Sequence, residues 1–217
     1  MLNTNPFATL AEIISPFAMQ SFIIAMIALI AIGTIIQMIN HKNLTYFLDN
    51  AKKAKLQATR EIGTGERLSI LAKTAAVDIG TTSELGFGKR RLSHVLGMYG
   101  TIIFWISSAI LVFCYTGADK SSSTIWSMLW HVGAILTCIG GYWFWLFLRV
   151  DVSAEAHPWY RIIKADLFVL ALLACSTFGL AWSYTQFNGQ VGLSFLFLTL
   201  FVASNLILFG GVYWSKF

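Results

Sequence analysis

Charge is what this chain has least of. Only 12% of its 217 residues are Asp, Glu, Lys or Arg, about half the share that a water-soluble domain carries. Those few are gathered into short stretches rather than spread along the chain, which excludes an ordinary soluble globule. Cysteine is scarce too: Cys114, Cys138 and Cys175 stand alone, each in or at the end of a different apolar run and none in a CxxC spacing. Neither a zinc site nor an iron–sulfur cluster is supported, and buried free thiols are the default. No phosphate loop, zinc-protease motif or nucleophile elbow occurs, so an autonomous hydrolase built on those devices is excluded. The opening stretch MLNTNPFATLAEIISPFAMQ lacks a basic start and a small-residue cleavage site and does not read as a cleaved signal peptide. Its Pro6, Glu12 and Pro16 predict instead a short interfacial helix within residues 1–17.

What the chain has in abundance is apolar surface, with 57% of its residues hydrophobic. A run of about 20 apolar residues crosses the hydrocarbon core of a bilayer as a helix. Five such runs lie near 18–39, 93–115, 125–149, 162–184 and 191–213. The expected fold is therefore all-α, an integral membrane bundle of five transmembrane helices filling residues 18–217.

Cytoplasmic loops keep Lys and Arg, so the distribution of these residues sets the orientation. The connection from about 41 to 92 holds ten of the chain's fifteen basic residues, among them Lys52, Lys53, Lys55, Lys89, Arg90 and Arg91. Arg149, Arg161, Lys164 and Lys216 fall on the same side if the spans alternate, and Lys120 alone falls opposite. This places the N-terminus outside and the long loop and C-terminus in the cytoplasm; the membrane expected is a prokaryotic inner membrane. Amphipathic rings favour the headgroup level. Tyr115, Trp126, Trp130, Trp182 and Tyr184 are expected at the outer interface, and Trp159, Tyr160, Tyr213 and Trp214 at the inner one.

The basic loop carries its own periodicity. In NLTYFLDNAKKAKLQATREI, Leu44, Phe47, Leu48, Ala51 and Leu56 recur near helical spacing, and Leu68, Leu71 and Ala75 repeat the pattern after Gly63-Thr64-Gly65. Two amphipathic helices joined by a glycine turn are predicted. They could lie on anionic headgroups, where each exposed Lys or Arg is worth about 1 kcal/mol, or form a platform for a soluble partner with an acidic or mixed surface. No nucleic-acid recognition motif accompanies the charge.

Four histidines are the remaining chemical leads. His41 follows the first span, His94 opens the second, His131 lies inside the third, and His157 sits before a proline in SAEAHPWYR. His94 and His131 enter from opposite sides, so at 1.5 Å per residue they should differ in depth by about 15 Å, too far to share one haem iron. His157 shares a side with His94, but a residue preceding proline in a loop makes a poor rigid ligand. His131 is the best placed to be buried, where an ionisable group either marks a functional site or bonds a neighbouring helix. Gly133, Gly140 and Gly141 nearby are small enough to let helices approach closely. Arg91 and His94, at the end of a span, could hold the carbonyl oxygens of a quinone, with Lys164 and Asp166 completing a proton path at the start of the fourth span.

Taken together, RRLSHVLGMYG opening the second span, WHVGA in the third and HPWYRIIKADLFVLALL opening the fourth resemble the cytochrome b type membrane subunits of respiratory reductases. That group includes the nitrate reductase gamma, heterodisulfide reductase and quinone-interacting oxidoreductase membrane subunits. In size, and in lacking an iron–sulfur extension, the chain is most similar to the membrane anchor of adenylylsulfate reductase. The resemblance implies an anchor subunit that exchanges electrons between the quinone pool and a cytoplasmic reductase, with haem b as relay. It matches Arg90, Arg91 and His94 at the basic entry and His131 in the third span. It departs in the fourth and fifth spans, which contain no histidine, so the four-histidine, two-haem relay of the nitrate reductase type is excluded. The rival expectation is a noncatalytic scaffold or accessory subunit of a larger membrane complex. A transporter is disfavoured, because no inverted repeat or glycine-broken pair of spans is present.

Overall fold

The computed structural model describes residues 1–40, 43–58, 60, 63–86, 88–116, 124–149, 160 and 162–211. Among them there is no strand, and five helices are long and apolar enough to cross a membrane. In chain order the helices are α1 (Pro6–Leu10), α2 (Pro16–Asn40), α3 (Asn43–Leu56), α4 (Thr64–Lys73), α5 (Lys89–Cys114), α6 (Thr124–Leu148), α7 (Leu167–Phe187) and α8 (Val191–Gly210). The spans are α2, α5, α6, α7 and α8, and α3 and α4 are the amphipathic pair of the long connection.

Two antiparallel hairpins, α5–α6 and α7–α8, pack side by side to make a four-helix core, and α2 lies outside it against α5 and α8. In hydrocarbon every helix is already surrounded by apolar neighbours, so close packing and hydrogen bonds rather than water exclusion bring spans together. The α5–α6 contact illustrates this. A Cβ added to Gly140 would lie 2.5 Å from the Gly97 nitrogen and 2.6 Å from the Ser93 oxygen, and one added to Gly133 would lie 2.6 Å from the Phe104 nitrogen. The backbones touch at these positions, and Ser93 Oγ donates to the Gly140 carbonyl at 2.7 Å. The α7–α8 turn needs a left-handed residue, and Gly189 supplies it at φ +68°.

The fourth span starts later than the apolar pattern predicts, at Leu167 rather than near 162. The cause is Asp166, whose carboxylate accepts from the Ile163 N–H at 2.8 Å and winds Lys164–Asp166 into a tight 3₁₀ turn ahead of the helix. At the end of α6, residues Phe144–Leu148 relax into a wider π turn.

The N-terminal segment does form the short helix expected of it, and that helix tucks into the bundle. Phe7 sits edge-on to Trp130 and Trp182, with ring centroids 5.8 Å and 5.4 Å away. Asn5 Nδ2 donates to the Tyr115 carbonyl at 3.1 Å, and Gln186 Nε2 donates to the Pro6 carbonyl at 3.2 Å. Trp130 and Trp182 are therefore fully buried, not at the lipid interface where their position near span ends had placed them. Trp130 Nε1 donates to Ser108 Oγ at 2.9 Å, so its polar edge is satisfied inside the protein.

Candidate functional site

The ionisable residues singled out in the sequence fall into two groups, one toward the α1 end of the bundle and one at the end that carries the long connection. At the α1 end, His131 is completely buried on α6. Its Nδ1 lies 2.7 Å from the Ser127 carbonyl and its Nε2 lies 2.7 Å from Ser183 Oγ on α7. A carbonyl can only accept, so Nδ1 carries a proton and donates to Ser127, while Nε2 and the Ser183 hydroxyl share the second bond. The Trp130 ring packs edge-on against it at 4.8 Å. His131 thus ties α6 to α7.

A haem iron needs an imidazole nitrogen with an open lone pair. A bond from Nδ1–H to a backbone carbonyl, as to Ser127 here, is also the kind that orients a ligating imidazole, while Nε2 faces Ser183 with Trp130 packed beside the ring. Among the described residues no group of three His, Cys, Asp or Glu could hold a metal ion. Ser93 on α5 bonds to Gly140, which fixes the level of the neighbouring His94. Gly140 is nine residues from His131, so His94 and His131 are about 13 Å apart along the bundle axis. They cannot serve one cofactor.

At the loop end, Asp166 is buried and engaged by Arg149 through two hydrogen bonds, Nε to Oδ1 at 3.0 Å and Nη2 to Oδ2. The guanidinium also lies over the Trp145 ring, 4.3 Å from its centroid. The π turn at Phe144–Leu148 brings Trp145 and Arg149 to the same buried place. Asp166 therefore clamps the end of α6 to the start of α7, and Lys164, two residues earlier in the same 3₁₀ turn, is exposed.

Arg91 closes the long connection onto α5. Its Nε donates to the Thr81 carbonyl at 2.8 Å, and the Tyr99 hydroxyl donates to the Gly80 carbonyl at 2.7 Å. Between these two ties lies a hollow of about 420 Å³ walled by Leu92 and Val95. His94 is exposed on the flank of the same helix and is not part of its lining. His41 and His157 lie outside the described residues.

Compared with known proteins, the chain matches no family model, no curated protein sequence and no solved structure. The residues that matter most here and that sequence reasoning passed over are Ser183, Ser108 and the Gly97–Gly140 contact. The signal was present: lipid offers a serine hydroxyl no partner, so a serine within an apolar span commonly bonds its own helix or a neighbouring one.

Proposed function

We propose that the chain is a membrane anchor that holds a soluble partner at the cytoplasmic face of a prokaryotic inner membrane. The observation that carries this reading is the surface of α3 and α4. Phe47, Leu56 and Leu68 are 68%, 88% and 70% exposed, while Lys52, Lys53, Lys55 and Arg67 stand between them, also exposed. An apolar stripe framed by cations and left uncovered suits a partner whose surface is apolar at its centre and acidic at its rim.

A second reading keeps the redox chemistry and is favoured by the hollow beside Arg91 and Tyr99. In it the partner is a cytoplasmic reductase, and a quinone headgroup enters near His94 and Arg91 and passes electrons directly to that partner. The two readings share the anchor and differ in the quinone.

Affinity purification from native membranes, followed by mass spectrometry, tests the anchor. A stoichiometric soluble protein is expected with the wild-type chain. The triple change Lys52→Gln, Lys53→Gln, Lys55→Gln should cut its recovery several-fold, as exposed ion pairs worth about 0.2–1 kcal/mol each would require. Unchanged recovery sinks the platform. Binding of a quinone analogue that is lost on His94→Ala would select the second reading.

A further inference from the structure

Because α2 stands off from the four-helix core, it leaves apolar space behind it. One cavity of about 270 Å³ lies near Met19 and Phe201, and a second of about 400 Å³ lies near Met26 and Ala109. Phe22, Ile23 and Trp105 line both, so the two adjoin. Phe168 and Leu208 line the second and also a third cavity of about 270 Å³ that reaches Gly210 and Gly211 at the loop end. The three follow one another along α8 from Leu198 to Gly210 as a crevice parallel to the spans, walled by α2 in its first two parts and by α7 in the third. Thirteen residues of helix correspond to about 20 Å, the length of an extended acyl chain of the kind that fills one bilayer leaflet. One end is bordered by Phe7 and Leu10 of α1. The other opens one turn from Lys164, which precedes Leu167 at the rim and is exposed. The neighbouring charges, Arg149 and Asp166, neutralise each other.

We propose that this crevice is a binding site for one anionic phospholipid, with an acyl chain laid between α2 and the core and its headgroup beside Lys164. Hydrocarbon is the chemistry that the lining accepts, and the length of the crevice suits a chain of one leaflet's depth. The cation at the open end selects the headgroup, since phosphatidylglycerol brings a net negative charge to Lys164 and phosphatidylcholine does not. The bound chain completes the packing of α2, which on its own buries only 11% of its apolar window.

Native mass spectrometry of the full chain in mild detergent tests the site, using phosphatidylglycerol and phosphatidylcholine of identical acyl chains. One phosphatidylglycerol per chain should be retained, with about a fivefold preference over phosphatidylcholine, the discrimination expected from a single interfacial cation. Lys164→Gln, at an exposed position outside the spans, should abolish that preference while leaving the neutral lipid bound. Ala109→Phe, which fills the middle of the crevice, should lower retention of both lipids. Equal retention of the two lipids by the wild type overturns the proposal, as does a preference that survives Lys164→Gln. A quinone retained in place of the phospholipid also overturns it. If Ala109→Phe fails to fold, the Lys164→Gln arm decides alone.

Discussion

Replacing Gly140 by alanine adds one methyl group, and the structure sets what that methyl must displace. Its Cβ would fall 2.5 Å from the Gly97 nitrogen and 2.6 Å from the Ser93 oxygen, roughly 1 Å inside ordinary contact. Both atoms are backbone, so no rotamer can yield, and α5 must back away from α6. Overpacking of this kind costs about 1–3 kcal/mol. The retreat also stretches the 2.7 Å bond from Ser93 Oγ to the Gly140 carbonyl, a further cost of about 1 kcal/mol. We expect a loss of about 2–4 kcal/mol in the sum. Gly97 provides the control from the facing helix: a Cβ there meets nothing within 4 Å. Gly97→Ala should therefore be neutral or should gain up to about 1 kcal/mol from helix propensity. Denaturant unfolding in a fixed lipid–detergent micelle, followed by circular dichroism, measures both variants. Equal effects of Gly140→Ala and Gly97→Ala would refute the close backbone contact between α5 and α6.

The remaining expectations concern the residues that sequence reading took for redox groups. Asp166→Asn leaves the Arg149 guanidinium buried without its carboxylate and should cost about 3–5 kcal/mol, whereas Arg149→Met combined with Asp166→Leu should recover most of it. Thermal unfolding of the single and double variants separates this clamp from a proton path, which would leave stability unmoved and alter turnover instead. His131→Ala should cost about 1–3 kcal/mol by orphaning the Ser183 hydroxyl. A purified wild type whose dithionite-reduced spectrum carries a shifted b-type Soret band would contradict the structural role given to His131.

The five spans were legible because lipid forces a simple code of about 20 apolar residues per crossing, and α3 and α4 because lysines interrupt their leucines at helical spacing. Depth was legible as well: counting residues from opposite span ends already separated His94 from His131. What the sequence did not disclose were contacts between distant segments. That Asp166 is held by Arg149, its neighbour across the bundle, is one such contact. Trp130 and Trp182 looked like interfacial anchors because nothing local reveals that Phe7, more than a hundred residues away, folds back to cover them. Gly97 was passed over for the same reason, since a glycine within a span declares neither its partner nor its distance.

The account rests on the uncovered face of α3 and α4 being met by protein. A photo-reactive amino acid at Leu56, 88% exposed, tests this when irradiated in intact membranes. The account predicts a covalent adduct with one soluble protein, lost after the Lys52→Gln, Lys53→Gln, Lys55→Gln change. Adducts with lipid alone would contradict it and make the two helices a membrane-surface anchor instead.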